Sequence, residues 1–249
     1  MIDEHTIRKL RQLDLSELVD SLETQEMDGQ IRQLTFDERL QLCIDSLYQG
    51  KYNNRVSGLI KRSRLRIQDA DVASIHYEKR NIDRQTLQEL ASCTYIKHRR
   101  NIIFQGFTGS GKTYLACALG KAACKQEIRT RYIRLPDLFI ERDEATLKPK
   151  GATNLITKFA NYGLLIIDEW LLDDLMEEDL KFLFEIIERR YDFSSTIYCT
   201  QFRKADWHSR LGGGVHADAI MDRIVHHAVW FETGQINMRE HQALNHSHP

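Results

Sequence analysis

Residues 102–113 read Ile-Ile-Phe-Gln-Gly-Phe-Thr-Gly-Ser-Gly-Lys-Thr. A short apolar run ends in Gly106-x-x-x-x-Gly111-Lys112-Thr113, and a helix-like segment, 114–125, follows at once. Strand, glycine loop and helix in that order are the setting of a P-loop. Gly106, Gly109 and Gly111 let the backbone turn tightly and press its N–H groups against phosphate oxygens. Lys112 supplies a point charge to the β and γ phosphates, Thr113 a hydroxyl for Mg²⁺, and the helix start its positive dipole end. Thr108, Ser110 and Tyr114, in the loop and first helical turn, are counted with the same nucleotide site. A chance match is the competing reading; the strand before and the helix after weigh against it.

The rest of the chain is compatible with such a site. Its 249 residues are enough for a proper core without disulfides. With 35 Lys and Arg against 36 Asp and Glu, bulk charge argues for no anionic partner, so any such partner must be met by local clusters. The five cysteines, at 43, 93, 117, 124 and 199, are odd in number and form no C-x-x-C pair. They read as reduced, buried thiols rather than a disulfide frame or zinc site. The opening Met1-Ile-Asp-Glu-His5 lacks the basic and apolar regions of a signal peptide, and no apolar run approaches membrane-spanning length. A cytoplasmic protein with no membrane partner is expected.

Residues 1–70 are helical in pattern. Leu10, Leu13, Leu18 and Leu22 recur at helical intervals, and Thr35-Phe-Asp-Glu38 is a capping box before Leu40, Ile44 and Leu47. Gly50 is expected to end that helix, with a third carrying Val56, Leu59 and Ile60 inward. A polar connector, 71–98, with a helix near 86–91, leads to a second domain at 99–249. There strands at 101–105, 130–135, 163–167, 195–200 and 228–232 alternate with helices near 112–125, 136–144, 153–161, 176–191 and 217–225. Alternation of this kind predicts an α/β fold with a parallel sheet sandwiched by helices, beside a small all-helical N-terminal domain.

Gly163-Leu-Leu-Ile-Ile-Asp168-Glu169 is an apolar strand ending in two adjacent carboxylates. In P-loop enzymes the first holds the Mg²⁺ shell, which assigns Asp168 with Thr113 to the metal. The second, Glu169, stands where an attacking water can be polarised by a general base. Two solvated acids opening a loop are the plainer alternative.

These segments, with Ile-Ile-Glu-Arg189-Arg-Tyr and Asp-Ala-Ile-Met-Asp-Arg223-Ile-Val-His-His, together resemble IstB, the AAA+ helper ATPases of insertion-sequence transposition, relatives of the DnaC helicase loaders. The resemblance spans about residues 35–240, and the block from Arg189 to His227 is its family-specific part. It implies that Thr200 or Gln201 reads the γ-phosphate at the tip of the strand 195–200. It implies that Arg223 reaches a neighbouring subunit's nucleotide, and that Arg239 is a second sensor arginine. Relatives usually follow the acid pair with Leu-Gly; here Trp170-Leu-Leu172 and then Asp173-Asp174 stand instead.

Lys51, Arg55, Lys61, Arg62, Arg64 and Arg66 form a run without an acid, which can neutralise several phosphates in a sequence-blind way. A solvated helix face is the alternative. Arg99 and Arg100 precede the P-loop strand, and Arg129, Arg131, Arg134, Lys148 and Lys150 follow the P-loop helix. The resemblance favours nucleic-acid contact for these groups. His226 and His227 are adjacent and diverge on any regular element, and His241, His246 and His248 have no carboxylate or cysteine cluster, so no histidine metal site is expected.

The composite expectation is an ATP- and Mg²⁺-dependent AAA+ ATPase, self-associating with ATP on double-stranded DNA and regulating or recruiting a transposase. A DnaC-like replicative helicase loader and an ATP-binding assembly scaffold without significant hydrolysis are the alternatives.

Overall fold

The computed structural model describes residues 3–77, 82–234, 236–238 and 240. The chain divides into two compact units, Met1–Gly58 and Leu59–Pro249, and the division falls inside a helix.

The first unit is helical, as its leucine spacing predicts. Helix α1 (Glu4–Gln12) starts where the Asp3 carboxylate accepts from the Thr6 N–H. Helix α2 (Ser16–Met27) and α3 (Phe36–Ser63) follow. The capping box is present: the Thr35 N–H donates to Glu38 Oε2 at 2.8 Å, and the Glu38 N–H to Thr35 Oγ1 at 3.4 Å. Buried Gln25 links α2 to α3 by donating to the Arg39 carbonyl at 2.8 Å. The expected break at Gly50 does not occur; α3 continues through it to Ser63. The glycine has a packing reason instead, since a Cβ there would sit 2.9 Å from Glu17 Cγ on α2.

In the second unit, the short helices α4 (Arg84–Ala91) and α5 (Thr94–Lys97) lead into β1 (Asn101–Gln105). The segment reads as polar but is apolar within: Leu87, Leu90 and Tyr95 are buried against the sheet's α6 side. Then come α6 (Lys112–Lys125), β2 (Thr130–Arg134), α7 (Leu135–Thr146), α8 (Gly151–Ala160) and β3 (Leu164–Trp170). The chain goes on through α9 (Glu177–Arg190), β4 (Ser195–Thr200), α10 (Lys204–Arg210), α11 (Gly214–Val225) and β5 (Ala228–Glu232). The α10 turn falls outside the sequence expectation, and β3 runs three residues beyond it.

All strand pairs are parallel, in the order β2-β3-β4-β1-β5. Both faces are covered, which is why the strands read as unbroken apolar runs. Ile102, Phe104, Leu164 and Ile166 face α6, whereas Ile103, Leu165 and Ile167 face the layer of α7 to α11. Arg190 pins that layer. Fully buried, it donates to the carbonyls of Phe159, Tyr162 and Ser195 and to Thr196 Oγ1, joining the ends of α8 and α9 to β4. Burial without a facing carboxylate lowers its pKa to about 10.

Candidate nucleotide site

Because β4 lies between β1 and β3, the loop after β1 and the acids ending β3 flank the carboxyl end of β4, the usual place for a ligand in an open parallel sheet. The loop 106–111 turns with Gly109 at φ 89° and Gly111 at φ 88°, backbone that a side chain would strain. Lys112 is curled inside it, Nζ donating to the Gly106 carbonyl at 2.6 Å and the Phe107 carbonyl at 2.8 Å. These are the contacts a phosphate would replace.

Across the site, Asp168 is 3% exposed and closely supported. Its Oδ2 accepts from Thr113 Oγ1 and from the Tyr132 hydroxyl, both at 2.7 Å, and its Oδ1 from the Glu169 N–H at 2.9 Å. Burial is the largest cause that pushes the Tyr132 pKa up, with Asp168 beside it, so Tyr132 remains a donor. The convergence of a hydroxyl and a carboxylate oxygen is an all-oxygen donor set that suits Mg²⁺. Tyr132, on β2, is a site residue with no motif of its own; only the strand pairing of Tyr132 with Ile166 reveals it.

Glu169 takes a left-handed backbone, φ 56°, at a bulge between β3 and β4. Its carboxylate lies 3.4 Å from Arg66 Nη1 and 3.6 Å from Arg134 Nη1. Arg134 is itself gripped by Asp137 through two bonds of 2.8 and 2.6 Å, the main cause of its raised pKa. A hydrogen bond with Tyr132 is the largest cause raising that of Arg66.

The bulge explains Trp170. Instead of following the acids into solvent, Trp170 returns to the sheet, is fully buried, and packs on Tyr198 at 4.8 Å and Trp207 at 5.7 Å between ring centres. Thr200 Oγ1 donates to the Trp170 carbonyl at 3.1 Å and accepts from the Phe202 N–H, so that hydroxyl is committed to the bulge. Gln201 is exposed, and its Oε1 accepts from Thr108 Oγ1 on the phosphate loop at 3.1 Å. Of the two residues at the strand tip, Gln201 is the one in touch with the loop.

A third wall escapes motif reading. Thr233, just after β5, is fully buried; its N–H donates to the Gln105 carbonyl, and its hydroxyl lies 2.7 Å from Ser110 Oγ. Farther on, the Met238 N–H donates to the Gly109 carbonyl at 2.8 Å. Arg239 and the tail histidines lie outside the described residues. The Tyr114 hydroxyl turns away to the backbone of Asp71.

Arg223 stands elsewhere. Its partner is Glu188, it stacks 5.2 Å from the Phe184 ring, and it shares a small cavity with Arg99 and with Asn101 at the start of β1. That is the opposite edge of the sheet from the phosphate loop. His226 pairs with Asp222, and no group of three or more potential metal-ligating His, Cys, Asp or Glu occurs among the described residues.

The basic residues are dispersed. Lys51 and Arg55 line a cleft with Asp14 and Glu17 in the first unit. Lys61, Arg62 and Arg100 are exposed, and exposed Arg129 lies over the Tyr162 ring. Arg131 is 4% exposed and spent on Glu141 at 2.6 Å. Arg64, Arg66 and Arg134 line one open cleft of about 530 Å³. Arg64 and Lys148 line an adjoining one of about 570 Å³, and Lys150 caps α8 in a left-handed conformation. No helix among the described residues is long and apolar enough to cross a membrane.

Comparison with known proteins agrees with this architecture. A family model described as IstB-like ATP binding protein matches residues 8–246. An insertion sequence ATP-binding protein of Sinorhizobium fredii is 30% identical over 97% of this chain and 98% of its own length. The insertion sequence IS1162 ATP-binding protein of Pseudomonas fluorescens is 33% identical over 81% of this chain and 87% of its own. In fold, the DnaC helicase loader superposes with a TM-score of 0.57 at 22% identity, over 66% of this chain and 96% of that one. AMPPCP-bound DnaA from Aquifex aeolicus gives 0.55 at 20% identity, over 71% and 55%. The parallel sheet and its helices are therefore those of a P-loop AAA+ protein.

Proposed function

The chain belongs to the IstB-like ATP binding protein family, and from that premise we propose that it hydrolyses ATP with Mg²⁺ while assembled on double-stranded DNA, regulating or recruiting a transposase in the cytoplasm. The observation that carries the reading is the meeting of Thr113, Asp168 and Tyr132 within 2.7 Å contacts beside the phosphate loop, with Glu169 next in the chain. Residues 99–249 form the ATPase portion, 1–70 a helical DNA- or partner-binding portion, and 71–98 the connector.

In this mechanism the loop amides of 106–111 and the start of α6 hold the phosphates, and Lys112 exchanges its two carbonyl partners for them. Thr113 and Asp168 hold Mg²⁺, which neutralises charge on the transferring phosphoryl group. Glu169 orients water for in-line attack and accepts its proton. Gln201, through Thr108, is placed to sense the terminal phosphate. Arg223, on the far edge of the sheet, supplies a guanidinium to the nucleotide of the next subunit, which makes hydrolysis depend on self-association. Arg239 remains the proposed second sensor. Insertion-sequence relatives support the transposition context.

The test is phosphate release with and without a DNA duplex, alongside nucleotide titration of Lys112→Ala. DNA-stimulated turnover, with nucleotide affinity lost in the variant, is expected. No turnover under either condition would leave only an ATP-binding scaffold. Capture of a replicative helicase rather than a transposase from extract would favour a loader.

A further inference from the structure

Both oxygens of Glu169 face guanidinium groups, Oε1 that of Arg66 and Oε2 that of Arg134. A general base held between two cations is turned to its own protein rather than to a substrate water. The two arginines differ in freedom. Arg134 is fixed by its fork to Asp137. Arg66 stands in the segment after α3, its side chain 48% exposed, with Glu169 as its ion-pair partner. Arg66, Arg134 and exposed Arg64 line one open cleft of about 530 Å³. The other acids of that cleft are already taken: Asp137 by Arg134, and Glu141 by Arg131 and Lys158. The cleft thus carries more positive than negative charge, and Glu169 is the anion within reach of Arg66 that is shared between two partners.

At 3.4 and 3.6 Å and partly exposed, these ion pairs are of the weak class, which an incoming anion can displace. A phosphodiester is such an anion, and an arginine fork suits it.

We propose that the cleft of Arg64, Arg66 and Arg134 takes a DNA backbone phosphate, and that this phosphate and Glu169 compete for Arg66, so that DNA binding frees the carboxylate for the nucleotide. The proposal rests on the DNA-dependent ATPase reading above and adds where DNA is sensed. Linkage makes it reciprocal: whatever loosens Glu169 from Arg66 must tighten DNA.

Reciprocity gives a test that needs no catalysis. The affinity of the full chain for a fluorescein-labelled DNA duplex is measured by anisotropy, at fixed salt and without nucleotide, for the wild type, Glu169→Gln, Arg66→Gln and the double variant. Glu169→Gln should tighten binding roughly two- to fivefold, the scale of an exposed ion pair. Arg66→Gln should weaken it, and in its background the gain from Glu169→Gln should vanish. Equal tightening in both backgrounds would mean a general charge effect, and no tightening would mean no competition; either overturns the proposal while leaving DNA binding intact. Failure of the wild type to bind duplex at any salt concentration would remove the DNA reading itself, and the proposal with it.

Discussion

Thr113 Oγ1 and Asp168 Oδ2 meet at 2.7 Å although they belong to different strand-loop units, and the Tyr132 hydroxyl closes on the same oxygen. Two donors on one buried carboxylate oxygen fix its direction before any ligand arrives. Tyr132→Phe removes one donor and leaves Asp168 underserved in a site where it is 3% exposed. A loss of about 1–2 kcal/mol of stability is expected, read as a shifted denaturant midpoint with unchanged slope; an unchanged midpoint would refute the role.

Glu169→Gln keeps the shape of the side chain and removes its basicity. Turnover at saturating DNA should fall on the order of a hundredfold, while nucleotide still binds and the ATP-loaded form accumulates on DNA. Phosphate release and filter retention of DNA measure the two effects, and normal turnover would displace Glu169 from the base role.

Trp170→Leu opens a void among Tyr198, Trp207 and the β3–β4 bulge. Shrinking so large a buried ring should cost about 2–4 kcal/mol, measured by chemical unfolding. A change within error would mean that the neighbours collapse onto the gap.

The five cysteines are all buried and unpaired. Burial raises the thiols of Cys93 and Cys117 to about 11. Thiols protonated in the fold but not in the unfolded chain support stability fully below about pH 9, the ordinary thiol value. That support is lost as pH climbs from 9 toward 11. At pH 8 a thiol reagent should label Cys93 and Cys117 only upon denaturation, as counted by mass spectrometry; rapid labelling of the native protein would contradict their burial.

Much of this was legible in the residues because the signals were local. The phosphate loop lies within one short stretch, and the acid pair directly ends an apolar run. The capping box at Thr35 and Glu38 is equally local, and it holds. What sequence could not reveal depends on tertiary neighbours. Gly50 reads as a stop, yet Glu17 on another helix gives it a packing purpose. Tyr132 enters the site through strand pairing, and Thr233 through β5 lying beside β1. The choice between Thr200 and Gln201 turns on a bulge that needs Trp170 to fold back into the sheet. Arg190 looks like one more charge on an exposed helix, and only its five acceptors show it to be internal.

The place of β4 has a wider consequence. Since it is bonded to β1 on one side and β3 on the other, the gap between the lysine half and the acid half of the pocket equals two inter-strand spacings, about 10 Å. Backbone ladders set that width, and no nucleotide can stretch them. Evolution or engineering can therefore retune which triphosphate this chain accepts only at the rim, never by widening the floor.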